Sequence, residues 1–431
     1  MKRAQVGWVP VLMMSLGFAG SAVASEGTPA ADGREDDEVI VEVTSAVAQQ
    51  PLIVVESVED SDRSLANQVS EMLTRSGQYA STVRVPGAAG VGAPASEWAP
   101  LQAAAVSISS SKEGGSRYVH VAVRVKMHQT TPAARTYDAM GDSEAALAAR
   151  IVDGVVLDVT GARAHMSGRW VITDATTSGE RATRVVFPSG KSAYRVSPFA
   201  VMARGADWSA AGTVYYAAED RRGVLSLFQQ GEADPVRLAA GGFVQGVSVS
   251  PDGRYLAVSI GESGATGTWV GTSFDQLTRV EGMPGHLSLS PSINDRGEVV
   301  HAVGPPTGPL GIELRTKRIS PPGVWAASPS FCSTATEERV AWLSRVGSRR
   351  WDLQLTTVAT GATWTVARDV LTAGCSPDGR SVAAASPASS GRPAGVDIVS
   401  DRGGARNRVW QGTATSIRWG EGERLPLSSG E

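Results

Sequence analysis

Past residue 37 the chain alternates short apolar runs with turn residues, and the spacing of the apolar positions changes along it. Val39, Val41 and Val43 alternate with polar neighbours, and Pro51 to Glu56 (PLIVVE) is a short continuous apolar run, so both predict strands. Leu65, Val69, Met72 and Leu73 then recur at helical spacing behind Ser64. Gly77 ends the pattern, which predicts an amphipathic helix of about three turns. The Pro, Gly and Ala tract from Pro86 to Pro100 predicts a long loop. Arg117 to His128 gives the clearest alternation: Val119, Val121, Val123, Val125 and Met127 share one face, His120, Ala122, Arg124, Lys126 and His128 the other. A second helix is predicted from Ser143, with Leu147, Ile151 and Val155 on one stripe and a stop near Gly161. Two helices over one face of a small sheet make an α/β domain across residues 38–160.

From residue 161 the pattern is strand and turn, and it repeats. The anchors are Asp207-Trp208-Ser209, Val249-Ser250-Pro251-Asp252-Gly253, Leu289-Ser290-Pro291, Cys332-Ser333, Cys375-Ser376-Pro377-Asp378-Gly379 and Trp419-Gly420. Their intervals are 41, 40, 43, 43 and 44 residues. A period of ~40–45 residues holding four strands marks a β-propeller blade. One unit reads through completely: strand Phe243 to Ser250, turn, strand Arg254 to Gly261, strand Thr268 to Phe274, strand Leu277 to Glu281. Ser-Pro-Asp-Gly is a hairpin device, because Pro presets φ, Asp bonds backbone amides and Gly takes the left-handed position. Strands already begin at Arg163 to Thr173 and Arg181 to Phe187. If the last anchor, at Trp419, supplies the inner strand of that same blade, the ring closes and no sheet edge is left open. The expected fold is mainly β: a six-bladed propeller over 161–431, preceded by the small α/β domain.

The chain start places the protein. Lys2 and Arg3 precede an uncharged stretch, and Ala22-Val23-Ala24 supplies small residues for a signal peptidase, so residues 1–24 read as a signal peptide cut between Ala24 and Ser25. After cleavage no apolar run approaches membrane-spanning length. Residues 25–37 form an acidic arm: Glu26, Asp32, Glu35, Asp36 and Asp37, with Glu38 following, against only Arg34. Too little of it is apolar to fold alone. Over all 431 residues the formal net charge is −3, with 40 basic and 43 acidic residues, so no basic excess exists to grip a nucleic-acid backbone.

Candidate chemistry is sparse. His120 and His128 share a strand face with Arg124 and Lys126, cations that would repel a metal ion, and the face reads as wet and basic. His165, His286 and His301 show no metal-ligand spacing, so no metal or cofactor is expected. The residue before each anchor (Trp208, Val249, Leu289, Cys332, Cys375, Trp419) is apolar or a thiol, as packing between blades requires. An exported chain meets an oxidising compartment, where Cys332 and Cys375 could pair. A bridge needs Cα atoms within ~7 Å, however, and adjacent inner strands are expected to diverge, which favours free thiols packed as small hydrophobes. Ser189-Gly190-Lys191-Ser192 imitates a phosphate-binding loop, but Val185 stands where its first glycine belongs. No G-x-S-x-G occurs, and the nearest sialidase-like box, Thr357 to Trp364, has Ala359 in place of Asp. Trp325, Trp342, Trp351, Trp364 and Trp410 read as blade core or as sugar-stacking rings.

A signal peptide, a small α/β domain whose last helix runs into Thr160-Gly161-Ala162-Arg163, and six such repeats ending in Ile417-Arg418-Trp419 resemble the TolB family of the Tol-Pal system. The chain departs from the pattern in keeping the full turn at only two anchors, and in Pro305-Pro306 and Pro321-Pro322 within the fourth repeat. The resemblance implies a monomeric, non-enzymatic periplasmic scaffold that supports envelope integrity and outer-membrane constriction in cell division. It implies a peptidoglycan-associated outer-membrane lipoprotein as the propeller's partner, and an inner-membrane Tol partner at the mature N-terminal arm. Readings from other classes are a secreted propeller that binds glycan or cell-wall material, and a propeller-based glycosidase.

Overall fold

A computed structural model describes residues 50–420 apart from 85–100, 114–115, 127–132, 140–142, 162–164, 176–178, 189–192, 198–201, 263, 281–284, 349 and 390. The signal peptide, the Ala24–Ser25 cleavage pair, the acidic arm, the Val39–Val43 strand, the Pro86–Pro100 loop, His128, Lys191 and Arg163 lie outside the described residues.

The first part of the described chain is an α/β layer: β1 (Leu52–Ser57), α1 (Arg63–Arg75), β2 (Ala80–Arg84), β3 (Gln102–Glu113), β4 (Ser116–Val125), β5 (Ala133–Asp138) and α2 (Glu144–Thr160). The sheet order is β2-β1-β3-β4-β5, with β1 parallel to both neighbours and the rest antiparallel. Ile53, Val55, Val106, Ile108, Val119, Val121 and Val123 bury one sheet face against Leu65, Val69 and Leu73 of α1 and Leu147, Ile151 and Val155 of α2. Each Leu or Ile so enclosed stabilises the layer by ~1.5–3 kcal/mol. The helix ends follow the expected signals. The Ser143 hydroxyl accepts the Ala146 N–H (3.2 Å), and Gly161, at φ 72°, closes α2 in the left-handed conformation. On the wet face of β4, His120 bonds Ser111 Oγ (2.9 Å) and Thr136 Oγ1 (3.1 Å) on its two neighbouring strands.

Six sheets follow. Blade 1 joins the two ends of the repeat region in the order Thr413–Gly420, Arg169–Ala175, Arg181–Val186, Ala193–Arg195. Blades 2 to 6 span 203–229, 243–279, 287–318, 326–367 and 372–411, each with its inner strand first. The last strand pairs antiparallel with the first, Trp419 opposite Trp170 and Ile417 opposite Ile172, and the two indole rings meet edge to face at 5.3 Å. This is the interlock anticipated from the sequence, and it leaves the ring without a terminal edge. Apolar cores lie between blades: Val171 and Val185 against Ala206 and Tyr216, Leu227 against Val247 and Ile260, Ile312 against Trp342, and Leu353 and Leu355 against Val382 and Val399. Between blades 3 and 4 the seam is partly polar. There His301, 6% exposed, bonds Ser288 Oγ (2.7 Å) and lies 3.4 Å from Thr268 Oγ1, and burial pushes its pKa down to about 4.

The α/β layer stands on the turn end of blades 6 and 1. Gln78 Nε2 donates to Ser381 Oγ (3.1 Å), and Asn407 Nδ2 donates to the Thr74 and Arg75 carbonyls (3.3 Å each). Buried Asp153 of α2 receives the Met166 N–H (2.7 Å), the Ser167 N–H (3.0 Å) and the Ser167 hydroxyl, fastening the entry to blade 1; burial raises its pKa to about 7.

The thiol expectation is corrected. Cys332 and Cys375 form a disulfide, with Cα atoms 5.3 Å apart. The inner strands of blades 5 and 6 do not diverge at these equivalent positions but stay within bridging range.

Candidate functional site

The turn-end mouth of the propeller is built from the repeated hairpins. In blade 3, Ser250 N–H donates to the Tyr255 carbonyl (2.9 Å), and its hydroxyl receives the Tyr255 N–H (2.9 Å) and donates to Asp252 (2.7 Å). Asp252 in turn accepts the Arg254 N–H (3.0 Å), and Gly253, at φ 74°, closes the corner behind Pro251. Ser376, Pro377, Asp378 and Gly379 (φ 69°) repeat the device in blade 6, with the Ser381 N–H on Ser376 Oγ (3.0 Å). Ser209 caps Thr213 in the same way (3.0 Å), and Ser333 caps Arg339 across a longer turn (3.2 Å).

Ser290 is the exception. It lies inside the strand Leu287–Ile293, at a bulge with φ 51°, and the blade 4 turn comes four residues later. There Asn294 takes the serine's part: its side-chain oxygen accepts the Glu298 N–H (3.0 Å), and Gly297 (φ 75°) closes the corner. The glycine three residues after the anchor was the readable signal. It follows Ser209, Ser250, Asn294 and Ser376, but not Ser290. Ile293 therefore replaces Leu289 as the packed residue before the turn.

Together these turns and the inner strands enclose an axial cup of about 610 Å³. Its walls include Trp208, Val249, Ile293, Cys375 and Trp419, and its rim includes Pro251, Asn294, Asp295, Ser333 and Pro377. One position deeper, each blade contributes one residue: Asp207, Ser248, Ser292, Phe331, Gly374 and Arg418. Some of these side chains stitch neighbouring inner strands. Asp207 Oδ2 accepts the Ser248 hydroxyl (2.9 Å) and the Val249 N–H (3.0 Å), Ser248 Oγ accepts the Ile293 N–H (3.3 Å), and Ser292 Oγ accepts the Phe331 N–H (3.2 Å). Burial raises the Asp207 pKa, opposed by the charge of Arg418 and by these donors. Arg418 reaches from blade 1 to the Pro291 carbonyl of blade 4 (3.1 Å), opposite it in the ring, and so forms part of the cup floor.

Chemically the cup offers hydroxyls, indole and aliphatic surface, the carboxylates of Asp207 and Asp295 and the guanidinium groups of Arg169 and Arg418. Among the described residues no three His, Cys, Asp or Glu side chains gather as a metal site, and no helix is long and apolar enough to cross a membrane. Trp325, Trp342, Trp351, Trp364 and Trp410 do not line it: Trp342 is buried and donates to Thr356 Oγ1 (2.8 Å), Trp364 donates to the Asp401 carbonyl (2.9 Å), and Trp325 stacks under Arg345 at 5.7 Å. A second cavity of about 640 Å³ opens on the outside of blade 2, which has three strands among the described residues. It lies away from the repeated hairpins and contains none of the anchor residues.

No family model matches the sequence, and no curated protein matches it in sequence. Solved structures do match in fold. TolB from Acinetobacter baumannii aligns over 86% of this chain and 97% of its own at 16% identity, with a TM-score of 0.67. A puromycin-hydrolyzing peptidase from Mycobacterium tuberculosis aligns over 75% of this chain and 54% of its own, at 14% identity and a TM-score of 0.38. Oligogalacturonate lyase from Vibrio parahaemolyticus aligns over 56% and 79%, at 10% identity and a TM-score of 0.36. The chain thus has a TolB-like fold, a six-bladed β-propeller closed through its last strand and preceded by a small α/β layer.

Proposed function

We propose that this protein is a periplasmic, non-enzymatic scaffold of the TolB kind, which docks a peptidoglycan-associated outer-membrane lipoprotein on its propeller. In this reading it maintains envelope integrity and supports outer-membrane constriction in cell division, while the acidic arm after Ser25 engages an inner-membrane Tol partner. The observation that carries the reading is the axial cup. It is a rigid concavity of about 610 Å³, framed by interlocked hairpins and lined by tryptophan, aliphatic and hydroxyl groups, in a TolB-like fold. A surface of this kind suits an inserted loop or extended segment, because the ring pays little ordering cost when a partner arrives.

The test is affinity capture from envelope extracts with the tagged mature chain. Recovery of a lipoprotein bearing a peptidoglycan-binding domain, by wild type and not by a variant with bulky substitutions at Ser248 and Ser292, is expected. Retention on purified peptidoglycan without any lipoprotein would replace this reading with a glycan-binding one, and turnover of a glycoside by the purified chain would replace it with an enzyme.

A further inference from the structure

The charged groups that line the cup are Arg169, Asp207, Asp295 and Arg418, and they are unequally engaged. Asp207 accepts three hydrogen bonds: the Trp208 N–H (2.8 Å) sits on Oδ1, and Ser248 Oγ and the Val249 N–H sit on Oδ2. Asp295 accepts the Asp252 N–H (2.9 Å). Arg418 is not saturated. Its Nη2 reaches the Pro291 carbonyl (3.1 Å), its Nη1 makes a long contact with the Ile417 carbonyl (3.4 Å), and its Nε is buried with no hydrogen-bond acceptor. Its Nε forms an ion pair with Asp207 Oδ2 at 3.8 Å, too long for a hydrogen bond. A guanidinium has five N–H donors in a planar fork; here two are used, and the residue lines the cup. On the same wall, Arg169 lies 5.8 Å over the Phe187 ring.

We propose that Arg418 is a specificity-determining anion clamp: it receives an acidic side chain, Asp or Glu, from the protein that docks in the cup. The inference rests on the docking reading above and names the chemistry of its central contact. A carboxylate matches the fork with two parallel hydrogen bonds. A phosphate-like dianion is disfavoured, because Asp207 and Asp295 border the same space and repel a second negative charge. A purely apolar plug would bury the unspent donors without acceptors, which costs binding free energy. The brace to Pro291 holds the guanidinium across the axis before a partner arrives, so little side-chain entropy remains to be lost.

The experiment is calorimetric titration of the mature chain with the soluble domain of the peptidoglycan-associated lipoprotein from the same cells, for wild type, Arg418→Gln, Arg418→Lys and, as a control outside the cup, Arg222→Gln. Thermal melts check that each variant is folded. Arg418→Gln is expected to weaken binding roughly 30-fold or more, as truncating one partner of a buried charge pair does. Arg418→Lys should fall between, since it keeps the charge and loses the fork, and Arg222→Gln should bind as wild type. Neutralising the lipoprotein's acidic residues one at a time should reveal one whose loss matches that of Arg418→Gln and adds nothing when the two are combined. Binding by Arg418→Gln within about threefold of wild type, or the absence of any such acidic partner in the cycle, would overturn the clamp and leave the docking reading intact. Failure of wild type itself to bind would overturn the docking reading, and the clamp with it.

Discussion

The disulfide between Cys332 and Cys375 gives the sharpest quantitative test of the propeller's construction. It closes a chain segment with a sequence separation of 43 residues, one whole blade, and ties the inner strand of blade 5 to that of blade 6. Closing a loop of that length removes unfolded-state entropy equivalent to about 4 kcal/mol at room temperature. The native ring already holds the same two blades by other means. Buried Arg339 donates to the Cys332 carbonyl (3.2 Å), the Gly379 carbonyl (2.6 Å) and Asp401 Oδ2 (2.8 Å). The folded state should therefore keep its geometry when the bond is removed, and the effect should fall on the unfolded chain. The perturbation is the double replacement Cys332→Ala and Cys375→Ala, compared with wild type under oxidising and reducing conditions. Urea unfolding followed by tryptophan fluorescence should show the replaced and the reduced proteins losing about 2–4 kcal/mol relative to the oxidised wild type. A thiol titration of the denatured, unreduced protein should find no free thiol. Two reactive thiols, or a stability loss under about 1 kcal/mol, would refute the reasoning and return both sulfurs to the part of small buried hydrophobes.

Three further outcomes follow from the packing. Arg339→Leu should cost about 3–5 kcal/mol in the same unfolding assay, because it strands the Cys332 and Gly379 carbonyls and Asp401 in a buried seam; a loss under about 1 kcal/mol would show that Arg339 does not hold the blades together. His301 is held neutral, its folded pKa near 4 against about 6.5 in the unfolded chain. Its contribution to stability, roughly 3 kcal/mol, is thus full above pH ~6.5 and lost as pH falls through about 4. The difference between the stability profiles of wild type and His301→Gln should show that slope, and parallel profiles would contradict it. Gly374→Ala should lower stability by about 1–3 kcal/mol, since the added Cβ would sit 2.8 Å from the Ile417 carbonyl oxygen of the neighbouring strand; an unchanged melting temperature would mean that blades 6 and 1 can part to admit it.

Much of the architecture was written locally. The Val119 to Val125 alternation, the Leu65–Leu73 stripe and the Ser143 and Gly161 boundaries each depend on contacts within a few residues, and each appears where the pattern puts it. The repeat period announced the blades because every blade needs one tight hairpin, and a hairpin has its own chemistry. Ser290 shows the limit of that argument. The Ser-Pro pair reads as a turn, but a bulged inner strand accommodates it, and Asn294 with Gly297 makes the corner instead.

What the chain order alone could not decide was everything set by convergence on the axis. The pairing of Cys332 with Cys375, the ring of Asp207, Ser248, Ser292, Phe331, Gly374 and Arg418, and the reach of Arg418 to Pro291 join positions tens to hundreds of residues apart. Their distances are fixed by the tilt and closure of six sheets rather than by any local propensity. The sequence determined which segments become strands and roughly how many blades they make, since hydrogen bonding and side-chain alternation act over a few residues. Only the closed ring decided which side chains face one another across its centre, because that depends on the sum of all the blade-to-blade rotations at once.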